Sequence, residues 1–382
     1  MPEPSMLGAY GQWAAEIVGE KPARLSLRRE GAQNLDDWRA RARERVRDCL
    51  AIPHIGEPPK AEIQHTFEHD GLTIDHLSWQ LPYGPPTEAY VLKPKGSKGR
   101  LPAVVGLHDH GGNKYFGTRK ITRTSESIHP LMKEHQDQYY GGVAWCNELA
   151  KRGYVVLVHD AFAFGSRRVR IADIPDVVNR SKLRERQPED PREIRAYNLF
   201  AAEHEHLMAK SLFCAGTTWP GVFLGEDVQA LNYLCSREDV DPTRIGCAGL
   251  SGGGLRTTYL AGMDDRIQCA CCLGMMTTWR DYSLNKSYTH TWMIYIPLIA
   301  RDLDYPEILG LRVPKPTLVL NCVDDQLFTM PEMRRADEML RAVYTKAGRP
   351  ENYQCTFHPG GHRFDRAMQA EAFAWFDRWL KA

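Results

Sequence analysis

A doubly wound, mainly parallel α/β sheet is the fold class this sequence predicts, and three observations carry the prediction. Six short β-rich apolar runs recur along the chain, at 101–109 (LPAVVGLHD), 154–162 (YVVLVHDAF), 244–251 (RIGCAGLS), 267–275 (IQCACCLGM), 316–322 (PTLVLNC) and 353–359 (YQCTFHP). Their apolar residues are consecutive, not alternate, as in strands buried on both faces. Helical patterns lie between most of them: GVAWCNELAKRG, GEDVQALNYLCSRE, GGGLRTTYLAGM, EMRRADEMLRAVYTKAG and a terminal RFDRAMQAEAFAWFDRWLKA. Strands alternating with helices in this way place helices on both faces of one sheet.

The elements follow in order. Residues 1–60 read as an N-terminal helical appendage, in which NLDDWRARARERVRDCL carries apolar residues at helical spacing behind a cap at Asn34 or Asp36, with Pro53 as a stop. Three runs then follow, IQHTFEH, LTIDHLSWQL and TEAYVLKP, separated by Asp-Gly and Pro-rich turns, as in a set of antiparallel strands. Residues 61–382 then form the α/β domain, interrupted at about 163–220 and 276–314 by stretches too long for ordinary connections. These are expected to be lid-like insertions covering the site.

Composition removes several function classes. Forty-nine basic residues against 48 acidic ones leave a net charge of +1, which provides no field to recruit nucleic acid or an anionic membrane. No apolar run approaches the roughly 18 residues of a membrane span. The first residues, MPEPSMLGAYGQWAAEIVGE, lack a basic start followed by an apolar core, so a cytoplasmic protein is expected. Ten cysteines, three of them (Cys269, Cys271 and Cys272) clustered in one apolar run, predict neither a disulfide framework nor structural zinc; the cluster reads as small residues of a buried strand.

In open α/β sheets ligands bind beyond the carboxyl ends of the strands, so chemistry is sought there. One strand ends in Gly249-Leu250-Ser251-Gly252-Gly253, a G-x-S-x-G between strand and helix. A serine on so sharp a turn needs glycines two positions either side, because strand and helix backbones must approach closely. Its hydroxyl is a weak nucleophile without a histidine base, which in turn needs a carboxylate to orient it. Later strand ends supply Asp324 and Asp325 (NCVDDQLF) and then His362 (HPGGHRFD).

With LHDHGGNK, HDAFAFGSRR, DVDPTRIGCAGLSGGG, TTWRDY, NCVDDQLF and PGGHRF in view, the chain from about residue 60 resembles the α/β-hydrolases of the dienelactone-hydrolase and acetyl-xylan-esterase-like group. The resemblance implies an α/β-hydrolase fold and a triad in the chain order serine, acid, histidine. Matching the acid loop to G-x-x-D-x-x-V aligns Cys322 with the glycine and makes Asp325 the acid, with Asp324 as its neighbour. The oxyanion donors are then the amides of Gly252 and, from the loop after the first parallel strand, His110, with Gly111 as the alternative. Asp109 stands where these enzymes usually have glycine.

Trp219, Trp279 and Tyr282, with Trp292 and Tyr295, fall in or beside the insertions, where they either wall the substrate or close the insertions' own core; the first three are taken as substrate-binding. His108 and His110 form an H-x-H pair without a convincing third ligand, so no metal and no cofactor are expected. The predicted function is a serine carboxylic-ester hydrolase working through an acyl-enzyme on small acyl or methyl esters, such as those of carbohydrates. Its partner is a small-molecule ester, not nucleic acid or membrane; a homo-oligomer is left open. The alternatives are a prolyl-oligopeptidase-like peptidase or amidase and a noncatalytic scaffold that binds a ligand or partner.

Overall fold

A computed structural model describes residues 5–31, 34–179 and 182–381. Nine strands form one sheet in the order β1-β2-β3-β5-β4-β6-β7-β8-β9. β1 (Glu62–His69), β2 (Leu72–Trp79) and β3 (Thr87–Pro94) are the three antiparallel runs, and β3 joins the rest antiparallel to β5 (Val155–His159). From β5 onward, through β4 (Leu101–Gly106), β6 (Val240–Leu250), β7 (Ile267–Leu273), β8 (Thr317–Cys322) and β9 (Tyr353–His358), all pairing is parallel. The chain leaves β4 for β5 on one side and returns to β6 on the other. The crevice of such a sheet opens at this reversal.

Alternate residues of each central strand enter different cores, as a side-chain period of two requires. Ala103 and Val105 face one core and Val104 the other; Val155 and Leu157 oppose Val156 and Val158 in the same way. The first core is closed by α2 (Leu35–Leu50), α6 (Trp219–Ser236), α7 (Gly252–Met263), α8 (Tyr305–Gly310) and α9 (Met330–Lys346). The second is closed by α3 (Pro130–Tyr140), α4 (Trp145–Lys151) and α10 (Arg366–Leu380). A short α1 (Gly11–Val18) precedes these, and α5 (Pro191–Cys214) lies in the first insertion. The polar α3 has no clear apolar stripe and is absent from the sequence expectation.

Asn34, not Asp36, caps α2: its side-chain oxygen accepts the Asp36 and Asp37 amides at 2.9 and 3.0 Å. Trp38, Ala42, Val46 and Leu50 then repeat every fourth residue into the main core. Arg43 donates two parallel bonds to Asp265 at 2.8 and 2.9 Å. The expected N-terminal appendage is thus packed into the same core as the sheet, because one full face of its helix is apolar.

The second insertion, expected from 276 to 314, is a series of short turns followed by α8. Among the described residues no helix is long and apolar enough to cross a membrane. All ten cysteines are free thiols.

Candidate active site

Ser251 sits between β6 and α7 with φ 57° and ψ −118°, a conformation strained for a residue with a side chain. The two glycines around it explain how the turn closes. A Cβ on Gly249 would lie 2.3 Å from the Leu107 carbonyl oxygen, and one on Gly253 2.1 Å from the same atom. No other residue allows strand β4 and helix α7 to approach this closely. The Ser251 amide donates to Leu273 O at 2.9 Å, so the strained turn is anchored to β7.

His362 follows β9 and Asp325 follows β8. The His362 Nδ1–H donates to Asp325 Oδ2 at 2.7 Å, and Asp325 Oδ1 accepts the Leu327 amide at 3.0 Å. Asp325 is buried, whereas Asp324 is exposed and accepts the Gly360 amide at 3.1 Å, stapling the loop that carries His362. Of the two candidate acids only Asp325 meets the histidine. Gly274 leaves room for the ring: a Cβ there would be 3.1 Å from His362 Cε1. Among the described residues His362 Nε2 is buried with no hydrogen-bond partner, and it lines the same cleft as Ser251.

Gly252 is the first residue of α7, where a backbone N–H has no partner within the helix. It lies against the loop after β4, since a Cβ on Gly252 would be 3.0 Å from the His110 amide nitrogen. The structure therefore brings together Gly252 and His110, the two residues whose amides were named from the sequence. The His110 ring has both nitrogens engaged: Nε2–H donates to Glu205 Oε1 at 2.9 Å, and Nδ1 accepts the Gly112 amide at 3.1 Å. Burial, opposed by the bond to Glu205, holds its pKa below the ordinary histidine value, so the ring is neutral. His108 is also fully committed, with Nδ1–H donating to Asp109 O at 3.1 Å and Nε2 accepting the Ala161 amide at 3.2 Å.

The cleft at this point has a volume of about 240 Å³. Leu250, Leu255, Met275, Met293, Ile294 and Leu327 form apolar walls, while Tyr139, Thr289, His290 and Thr291 add polar groups. His290 donates Nε2–H to Leu327 O at 2.9 Å, and burial pushes its pKa down to about 4, so it too faces the cleft neutral. No arginine or lysine lines the cleft among the described residues.

The expected substrate-binding aromatics are elsewhere. Trp219 is the first residue of α6, which begins at a Thr218 cap several residues before the predicted start, and it packs in the core against Phe162. Trp279 and Tyr282 pack with Tyr305 beneath the second insertion, with ring centroids 5.2 and 5.6 Å away. All three side chains are buried in the main core and none lines the cleft. They close the insertion's own core, the other reading the sequence left open. The second insertion does border the cleft as expected, but through Thr289, His290, Thr291, Met293 and Ile294 and not through its aromatic residues; these five and Tyr139 were not singled out in the sequence, because their place depends on how the second insertion and α3 fold over the strand ends.

Residues 219–382 match the model of the prolyl oligopeptidase family. The chain is 26% identical over 345 residues to the protein named "Putative hydrolase YtaP" of Bacillus subtilis (strain 168), covering 90% of this chain and 100% of that one. Among solved structures, a "putative acetyl xylan esterase" from Bacteroides fragilis NCTC 9343 superposes with TM-score 0.68 at 17% identity, covering 92% of this chain and 83% of its own. A glucuronoyl esterase from Solibacter usitatus gives TM-score 0.63 at 13% identity, covering 94% and 97%.

Proposed function

On the premise that this chain has the α/β-hydrolase fold, we propose that it is a serine carboxylic-ester hydrolase. The single observation that carries the reading is the convergence of Ser251 on its strained turn with the His362–Asp325 pair, bonded at 2.7 Å, at one cleft. Ser251 Oγ attacks the ester carbonyl while His362 Nε2 takes its proton. The oxyanion is held by the amides of His110 and Gly252. As the intermediate collapses, the C–O bond to the alcohol breaks and His362 returns the proton to the departing oxygen, leaving an acyl-Ser251. Water, deprotonated by His362, then attacks the acyl carbon, and the proton passes back to Ser251 as the acid leaves.

The cleft supports a small, uncharged acyl or methyl ester. Its volume of about 240 Å³ is below the roughly 300–1,000 Å³ of ordinary ligand pockets. Apolar walls suit a short acyl group, and Tyr139 with the 289–291 segment offers polar groups to a hydroxyl-rich alcohol such as a sugar. The names of two structural neighbours, an acetyl xylan esterase and a glucuronoyl esterase, support that direction. A peptidase or amidase is the second reading, favoured by the prolyl oligopeptidase family match.

The test is intact-mass analysis after exposure to a fluorophosphonate, with Ser251→Ala alongside, together with turnover of p-nitrophenyl acetate, acetylated or methyl-esterified sugars and short peptide amides. One adduct lost with Ser251, and ester turnover lost with it, is the expected result. Turnover of peptides without esters would transfer the assignment to the peptidase. An unlabelled, inactive wild type would leave a binding scaffold.

A further inference from the structure

Beneath the loop that carries His110 lies a fully buried lysine that the reaction scheme does not use. Lys120 ends a short turn, Thr118–Lys120, and its ammonium donates to the carbonyl oxygens of Asp109 at 2.7 Å and His110 at 2.9 Å. The same nitrogen is 4.0 Å from Asp109 Oδ2 and 4.6 Å from the centre of the Phe164 ring. The Asp109 carboxylate is caged in turn, bonded to His135 Nε2 at 3.1 Å and to the Tyr140 hydroxyl. Burial would raise the Asp109 pKa, but His135, Lys120 and these hydrogen bonds outweigh it and hold the group far below the usual carboxylate range. It is therefore an anion facing a buried cation. The loop folds tightly on this cage: a Cβ on Gly111 would lie 2.3 Å from Asp109 Oδ2.

A trans peptide is planar, with its C=O and N–H pointing in opposite directions. The carbonyl of the Asp109–His110 peptide accepts from Lys120 at 2.7 Å and from His108 Nδ1–H at 3.1 Å, Lys120 being the closer and the charged donor, so the His110 N–H of that same peptide faces the other way. Gly252 lies close to that amide nitrogen. Rotation of this one peptide would replace a hydrogen-bond donor by a carbonyl oxygen opposite a developing negative charge.

We propose that Lys120 is a positioning residue for oxyanion stabilisation, holding the Asp109–His110 peptide so that the His110 N–H faces the cleft. The inference rests on the esterase reading, with His110 as one of the two oxyanion donors. It also accounts for an aspartate at a position where glycine was expected, since Asp109 supplies the counter-charge that lets a lysine remain buried there.

The experiment compares wild type with Lys120→Met and Lys120→Gln, the second retaining a neutral N–H donor should the first fail to fold. Two matched inhibitors are used: an aryl trifluoromethyl ketone, which adds to Ser251 as an oxyanion, and the corresponding methyl ketone, which remains a carbonyl. For Lys120→Met the expected result is a fall of about 100-fold in kcat on a short p-nitrophenyl ester with KM within about twofold. Affinity for the trifluoromethyl ketone should fall by a similar factor while that for the methyl ketone holds. Lys120→Gln should lose at least about threefold in the ratio of the two affinities. An unchanged ratio in a folded variant of an active enzyme would overturn this inference alone. A wild type with no ester turnover and no ketone binding would overturn the esterase reading and this inference together.

Discussion

Glu205 and His110, 95 residues apart in sequence, meet at 2.9 Å through Glu205 Oε1 and His110 Nε2. The same carboxylate pairs with the buried Lys114 ammonium, and its other oxygen accepts the Trp292 amide at 3.2 Å. One side chain of α5 thus ties the first insertion, the loop after β4 and the second insertion together. Burial alone would raise its pKa, but His110 and Lys114 bring it down to about 2.

Glu205→Gln should therefore destabilise the fold, by roughly 3 kcal/mol, since it leaves the Lys114 charge buried without a counter-ion. Because the folded pKa of about 2 lies below the ordinary 4.5, this contribution is fully present above pH 4.5 and is lost as pH falls toward 2. Denaturant midpoints of wild type and variant, measured from pH 6 to pH 2.5, should converge at the acid end. A gap independent of pH would show that the carboxylate charge is not the source.

Asp325→Asn should lower kcat by on the order of 10³- to 10⁴-fold with little change in fold stability, because the amide can no longer hold the imidazole in its working tautomer. Asp324→Asn should lower it by less than about tenfold, since its carboxylate reaches the histidine loop through the Gly360 amide and the backbone bond from Asp324 N to Gly360 O survives the substitution. Steady-state kinetics on one ester separates the two. Equal losses would return the choice of acid to an open question.

Ser251→Gly should raise unfolding free energy by about 1 kcal/mol while abolishing ester turnover, because glycine adopts φ 57° without strain. Gly253→Ala should do the reverse to stability, losing about 3 kcal/mol or more as its Cβ meets the Leu107 carbonyl. Thermal unfolding of the two variants beside wild type reads both effects, and a stable Gly253→Ala would contradict the close approach of β4 and α7.

The walls of the cleft make a specificity prediction. Ile294→Ala should raise the preference for butyrate over acetate esters by about tenfold, by opening space along the acyl path. Tyr282→Ala should leave that preference unchanged and lower stability by about 3–5 kcal/mol, as for other buried aromatics. A changed acyl preference in the Tyr282 variant would restore it to the substrate wall.

The fold was legible because its strands are buried on both faces and read as continuous apolar runs, and because each stops at a turn residue. The chemistry-bearing positions were legible for a related reason. Ser251 needs Gly249 and Gly253 beside it, so a steric requirement is written into adjacent residues. His362 and Asp325 fall at strand ends, where topology alone sends them to one sheet edge. Trp219 was misplaced because the Thr218 cap starts α6 earlier than its apolar pattern suggested. Trp279 and Tyr282 were misplaced because an aromatic residue in an insertion looks the same whether it faces a ligand or a core.

From the sequence alone came the doubly wound sheet, the serine on its turn and the order of the residues that converge on it. The resemblance of the acid loop also put Asp325 ahead of Asp324, and Asp325 is the one that meets His362; tertiary structure alone decided that the cleft is walled by Thr289, His290, Thr291, Met293, Ile294 and Tyr139, and that Glu205 and Lys120 hold the His110 loop. The physical reason is range. Strand periodicity and turn sterics act between residues a few positions apart and leave a local pattern, whereas a buried ion pair or a cleft wall joins segments tens to hundreds of residues apart and leaves none.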